Sequence, residues 1–185
     1  MGQVPIIFLD LDGVLNSFRL LLQLSRTDPT EEEVEYATKI ATKYYHGYPV
    51  DMLIHDLRSI DPLCVEYLNQ IIEASDADAV LSSTWRFSHS ISGLQKLLEF
   101  RGFKGELIDI TPVNVKSPAK LRGYEIQAWL DLNPEVESMV ILDDDTDMAH
   151  LSSHLVRTDL AVGLTKKDAQ RAISILLEPV RPVRT

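Results

Sequence analysis

Residues 6–15 read Ile6-Ile7-Phe8-Leu9-Asp10-Leu11-Asp12-Gly13-Val14-Leu15, an apolar run that ends in two aspartates separated by one residue. A strand buried on both faces reads as a continuous β-branched and aromatic run, so Pro5 to Leu9 is expected to be the central strand of a parallel sheet. Such sheets bind ligands at the carboxyl ends of their strands, where Asp10 and Asp12 fall. Side chains alternate in an extended segment, so both carboxylates can project toward one site, and Gly13 frees the chain to turn away. Two carboxylates held close repel unless a cation or a shared proton lies between them. From this motif alone, two acidic loop residues behind a core strand remain the plainer reading.

A second apolar run, Met139-Val140-Ile141-Leu142, leads into Asp143-Asp144-Asp145-Thr146-Asp147. Four carboxylates in five residues at a strand end call for a counter-charge, and hard oxygen ligands suit Mg2+. An EF-hand Ca2+ loop starting at Asp143 fails, because Met148 and His154 occupy its glycine and glutamate positions. A third strand, Ala77-Asp78-Ala79-Val80-Leu81, ends in Ser82-Ser83-Thr84-Trp85-Arg86, which offers hydroxyls, amides and a guanidinium to a phosphate. Alone, it is more simply a Ser/Thr turn with a core tryptophan. Lys120-Leu121-Arg122-Gly123-Tyr124-Glu125-Ile126 opens a helix whose apolar stripe is Ile126, Trp129 and Leu130. A cation is unfavourable at a helix start, so Arg122 there asks for an anion; a solvated arginine is the alternative.

This order of motifs resembles the haloacid dehalogenase superfamily of phosphotransferases, over most of the chain from about Val4 to Thr165. VLSSTWR, RGYEIQAWL and ILDDDTDM are more similar still to the haloacid dehalogenase-like domain of the Swiss Army Knife group of RNA repair proteins. The resemblance implies an α/β, Rossmann-like three-layer fold with a mainly parallel central sheet and a small helical cap inserted after the first strand. It implies Asp10 as the nucleophile that becomes an aspartyl-phosphate and Asp12 as general acid and base. Dehalogenases and P-type ATPases of the superfamily lack an aspartate at the second place, so a phosphatase is expected. Ser82 matches the phosphate-binding hydroxyl, with Ser83 assisting and Arg86 nearby. Arg122 falls where a cation neutralises the phosphoryl group, with Lys120 and Lys116 as competitors. Mg2+ is implied between Asp10, the Asp12 backbone carbonyl and Asp144 or Asp143, with Asp147 at its edge.

With 185 residues, 45% of them apolar, the chain can form one domain over residues 1–185. A formal charge of −10 disfavours broad nonspecific nucleic-acid binding, which depends on lysine and arginine. Cys64 is the single cysteine, is expected to be a buried small hydrophobe, and points to a cytoplasmic setting. No stretch approaches a membrane span, and the first residues lack a basic segment and cleavage site. Oligomeric state is not legible.

Along the chain, βα units repeat. A helix is expected from Asn16 to Leu24, a capped one from Thr30 to about Tyr45, and an irregular link through His55 to Asp61-Pro62. Residues 19–60 read as a small insertion beside the site. Helices at Leu63 to Ala74, Ser90 to Phe100 and Lys166 to Leu177, strands at Leu107 to Ile110 and Leu155 to Arg157, and an irregular tail over residues 179–185 complete the reading. Too little chain separates Ser82 from Arg122 for a large second cap. Members of the resembled superfamily with little cap tend to act on large substrates, so the resemblance implies a phosphorylated nucleic-acid end, an RNA 3′-phosphate foremost; a small nucleotide or sugar phosphate, or a noncatalytic binding module, are the alternatives. Tyr36, Tyr44, Tyr45 and Tyr48 could line a base pocket, although their helical spacing favours packing. Trp85 could stack on a base or anchor its loop. His150 and His154 form an i, i+4 pair of little metal-binding promise.

Overall fold

No side chain of β1 (Ile6–Leu9) reaches solvent appreciably: Ile6 is 3% exposed and the other three 0%. The computed structural model describes residues 5–113, 115, 121–136 and 138–178. Within it, β1 pairs in parallel with β2 (Asp78–Leu81) on one side and β4 (Met139–Asp143) on the other. Outside these lie β3 (Leu107–Ile110) and β5 (Leu155–Arg157), in the order β3-β2-β1-β4-β5, all parallel. The uninterrupted hydrophobicity of β1 follows from that central place, with helices over both faces.

Alternation sorts the strand residues into two apolar layers. Ile7, Leu9, Ala79, Leu81, Val140, Leu142 and Val156 join one core. That core contains residues of α2 (Glu31–Tyr44), α3 (Val50–Ser59), α4 (Pro62–Ser75), α5 (Ile91–Phe100) and α7 (Lys166–Leu177). Ile6, Phe8, Val80, Met139, Ile141 and Leu155 face the other way, onto Ile126 and Trp129 of α6 (Arg122–Leu132). Phe8 meets Trp129 edge-on with centroids 5.4 Å apart. The chain is thus a three-layer α/β fold. No helix among the described residues is long and apolar enough to cross a membrane.

The short helix expected near Asn16 is α1 (Phe18–Leu24), capped by Ser17. α2 begins with the expected capping box: Thr30 Oγ1 accepts from the Glu33 amide at 3.2 Å, and Glu33 Oε2 accepts from the Thr30 amide at 3.0 Å. Two local expectations need correction. The supposedly irregular link contains α3, which starts behind Pro49 with no side-chain cap and buries Leu53 and Leu57. Its tertiary packing outweighs the absent start signal. Residues 149–154 form a 3-10 helix, whose three-residue turn puts His150 and His154 on different faces. His150 Nε2 lies 2.7 Å from Gln127 Oε1. The tail at residues 179–185 lies outside the described residues.

Helices α1 to α3 supply residues 19–60, and Glu33 ties this segment to the rest. Its carboxylate meets Arg101 Nη2, just past α5, at 2.7 Å and Arg58 Nε of α3 at 3.3 Å. Burial works to raise the Glu33 pKa, but the Thr30 amide and the two arginines outweigh it and hold it below the ordinary 4.5. A second close fit sets α6. A Cβ on Gly123 would stand 2.1 Å from the Met148 carbonyl oxygen, so only glycine lets the start of α6 lie against the acidic loop.

Glu33→Ala leaves two largely buried arginines facing no carboxylate, and a loss of about 3 kcal/mol in urea unfolding at pH 7 is expected. The folded pKa is depressed, so this contribution is present above pH 4.5 and fades as pH falls through the folded value; the gap between wild type and variant should narrow in acid. Gly123→Ala should cost about 2 kcal/mol or more, because the atom it meets is backbone. A variant that unfolds at the wild-type urea midpoint would contradict that packing.

Candidate active site

The register of the sheet builds the site. Leu9 is level with Leu81 on one side and Leu142 on the other, so the next residues, Asp10, Ser82 and Asp143, stand side by side. Their backbones stay in the ladder: the Asp10 amide donates to Leu142 O at 3.0 Å and the Ser82 amide to Leu9 O at 2.9 Å. Exposure is 4% for Asp10 and 0% for Ser82 and Asp143. By alternation these residues continue the layer that faces α6.

From that side comes Arg122, the first residue of α6. Its Nη1 lies 3.3 Å from Asp10 Oδ1 and its Nε 3.2 Å from Asp143 Oδ2. Nη1 also donates to the Ser82 carbonyl oxygen. Burial opposes the charge, yet Asp10, Asp143 and Asp147 outweigh it and raise the arginine's pKa. Leu121, at the cap position, offers no side-chain cap. Asp147 takes that role from the acidic loop: its Oδ2 accepts from the Arg122 amide at 3.0 Å and its carbonyl from the Gly123 amide at 3.2 Å.

Asp10, Asp143 and Asp144 each offer a carboxylate oxygen within 4.8 Å of the others. Desolvation, with Asp10 next in weight, pushes the Asp143 carboxyl up to about 7. Asp10 is also raised, chiefly by burial, against the pull of Arg122; Asp144 is raised mainly by burial. Gly13 makes room for Asp144: its φ is +71°, and a Cβ there would lie 2.6 Å from Asp144 Cγ. Ser82 Oγ, Asp143 Oδ2 and Asp147 Oδ1 are buried without a hydrogen-bond partner, although Asp143 Oδ2 keeps its misaligned contact with Arg122. Buried polar atoms are nearly always satisfied, so three unsatisfied ones around a carboxylate trio fit a hard cation and an oxyanion.

Asp12 stands apart from the trio. Its exposed carboxylate accepts from Asn16 Nδ2 at 2.7 Å and from Trp85 Nε1 at 3.2 Å. Ser83 is buried, its hydroxyl accepting from the Trp85 amide at 3.4 Å and helping to hold Asp10 charged. Arg86 is not brought to the group. Its side chain is 6% exposed, and its guanidinium pairs with Glu125 of α6 at 2.6 Å and donates to Thr111 Oγ1 at 3.3 Å. Lys116 and Lys120 lie outside the described residues.

Tyr36, Tyr45 and Tyr48 are engaged in packing and hydrogen bonds. Tyr36 donates to the Lys96 carbonyl at 2.8 Å and lies 4.5 Å from Phe100; Tyr45 is 5% exposed; Tyr48 donates to Asp56 at 2.7 Å. Sequence reasoning passed over Asn16 and Gly123. Asn16 carried a usable signal, an amide four residues after Asp12 in a turning loop, whereas the partner of Gly123 is backbone and leaves none.

The family model described as the HAD domain in Swiss Army Knife RNA repair proteins matches residues 6–169. Among solved structures, a haloacid dehalogenase-like family hydrolase from Streptococcus pneumoniae is similar at 15% identity and a TM-score of 0.41, over 92% of this chain and 90% of that one. No curated protein matches the chain. With strand ends, acidic trio and arginine arranged as above and the match running through nearly the whole fold, the chain belongs to the haloacid dehalogenase domain family of Swiss Army Knife RNA repair proteins.

Proposed function

We propose that this chain is a Mg2+-dependent phosphoric monoester hydrolase working through an aspartyl-phosphate on Asp10, with a phosphorylated nucleic-acid end, an RNA 3′-phosphate foremost, as its substrate. The observation that carries this reading is the convergence, at one level of the sheet, of a buried carboxylate, a partnerless hydroxyl and a guanidinium. A phosphoryl group in transfer needs that set: a nucleophile, a donor and positive charge.

In the first step a carboxylate oxygen of Asp10 bonds to phosphorus as the bond to the leaving oxygen breaks, and the Asp12 carboxyl gives that oxygen its proton. In the second, Asp12 takes a proton from water, the water oxygen bonds to phosphorus, and the bond to Asp10 breaks to release inorganic phosphate. Arg122 and Ser82 bind the phosphoryl oxygens. Asp10, Asp143, Asp144 and the Asp12 backbone carbonyl would hold Mg2+, with Asp147 at the margin. Bound there, the ion would neutralise charge between the phosphoryl oxygens and the carboxylates.

For the substrate, the support is the family's description as RNA repair proteins and the form of residues 19–60. We read that segment, tied down through Glu33, as a small, fixed cover compatible with a polymer end. The charge of −10 keeps contacts with the polymer local.

Phosphate release from 3′- and 5′-phosphorylated RNA oligonucleotides and the matching mononucleotides tests the reading. Release should require Mg2+ and fall by about a thousandfold or more in Asp10→Asn; near wild-type turnover by that variant would exclude the covalent route. Oligonucleotide 3′-phosphates should show the higher kcat/KM, since remote contacts orient the phosphoryl group. A clear preference for mononucleotides would remove the RNA-end assignment and leave the phosphatase standing. Mg2+ should also raise the melting temperature of the chelator-treated protein, and full activity in excess EDTA would eliminate the metal.

A further inference from the structure

An exposed aspartate ordinarily rotates freely, but Asp12 is held from two sides. Asn16 Nδ2 donates to Oδ1 at 2.7 Å from the same loop. Trp85 arrives from the end of β2, and its Nε1 stands 3.2 Å from Oδ1 and 3.3 Å from Oδ2, so the indole N–H straddles both oxygens. A neutral donor in that place has a chemical merit. An acid–base group must exist in both protonation states, and an N–H that carries no charge can be accepted by a carboxylate or by the carbonyl oxygen of a carboxylic acid. Lysine or arginine there would instead favour the ionised form.

The indole is itself braced. Trp85 sits in a 3-10 turn, Thr84–Phe87, and its carbonyl accepts from the His89 amide at 2.9 Å. The His89 ring stacks on it with centroids 4.9 Å apart and planes 33° from parallel. His89 is 7% exposed and is enclosed by Tyr45 and Tyr48, each with its ring 5.5 Å away. Its Nε2 lies 3.5 Å from Asp56 Oδ2, the oxygen that also accepts from the Tyr48 hydroxyl at 2.7 Å. Tyr48 and Asp56 belong to the segment inserted after β1, so a continuous set of contacts runs from that segment to the Asp12 carboxylate.

We propose that Trp85 is a positioning residue for Asp12: its indole N–H holds the carboxylate in the orientation for proton transfer, while Tyr48 and Asp56 brace the indole through His89. The inference rests on the acid–base role proposed above. It gives the insertion a catalytic purpose distinct from covering the site.

Phosphate esters with good and poor leaving groups separate positioning from mere packing. Trp85→Phe keeps an aromatic ring and removes the N–H. For phenyl phosphate, whose leaving oxygen needs a proton, kcat/KM should fall roughly tenfold; for p-nitrophenyl phosphate, which needs little help, the fall should stay within about twofold. Asp12→Asn should show the same pattern, larger. Equal losses on the two esters, or none, overturn the inference.

A second measurement is independent of turnover and of whether Trp85→Phe folds. The chain has two tryptophans, so the indole region of a 1H–15N spectrum holds two N–H resonances. Trp129 donates to Asp109 at 2.7 Å and serves as the internal reference. Asp12→Asn should move the Trp85 resonance upfield and leave that of Trp129 in place; an unmoved Trp85 resonance overturns the inference. Absence of turnover by the wild type overturns the phosphatase reading and this inference with it, whereas turnover with an unmoved resonance overturns this inference alone.

Discussion

Three carboxylates, from Asp10, Asp143 and Asp144, share a volume a few ångströms across with one guanidinium, that of Arg122. One positive charge does not balance three carboxylates, and burial first, with Asp10 next, pushes the Asp143 carboxyl up to about 7 against the pull of Arg122. Most of the unusual local structure exists to bring that arginine in. Gly123 lets α6 touch the Met148 carbonyl, and Asp147 caps the helix from the neighbouring loop. Gly13, at positive φ, clears space for Asp144. Each of these fits turns on one residue, at a place where a Cβ would clash or a helix-start amide would go uncapped.

The sheet can carry such a site because the polar residues begin where the apolar layers end. Ile7, Phe8 and Leu9 are wholly buried, and burial of side chains of this size contributes about 2 kcal/mol each. The parallel register then turns three separate sequence positions into neighbours. A one-residue slip of β1 against β4 would turn Asp10 to the opposite face and break the ion pair with Arg122. Core packing and active-site geometry are therefore specified by the same pairing.

Much of this was legible in the sequence because its signals are local. Apolar runs ending in acids or hydroxyls marked β1, β2 and β4, and Thr30 with Glu33 marked α2. Legibility failed where the deciding partner is distant in the chain. Arg86 stands in a phosphate-like turn, yet its charge is taken by Glu125, thirty-nine positions on. α3 has no capping side chain, and His55, Asp56 and Arg58 dilute the spacing of Leu53 and Leu57; its helix is settled by contacts with α2 and α5. The aromatic residues were ambiguous for the same reason: Tyr36 and Tyr45 follow a packing pattern, but nothing local says that Trp85 would meet Asp12.

The three basic residues ahead of and at the start of α6 differ in what their chemistry permits at this site. Arg122 touches Asp10, Asp143 and the Ser82 carbonyl together, through Nε and Nη1 of one rigid plane. A guanidinium presents its donors in a fixed fork, whereas a lysine ammonium is a point charge on a flexible stem. The fork lets Arg122 hold three strand ends, those of β2, β1 and β4, in register with one another. A lysine could neutralise carboxylate charge, but it could not also tie β2, β1 and β4 together. The same residue thus links the stability of the sheet's carboxyl edge to the chemistry proposed there, and that link explains why so much of the surrounding backbone is shaped around a single side chain.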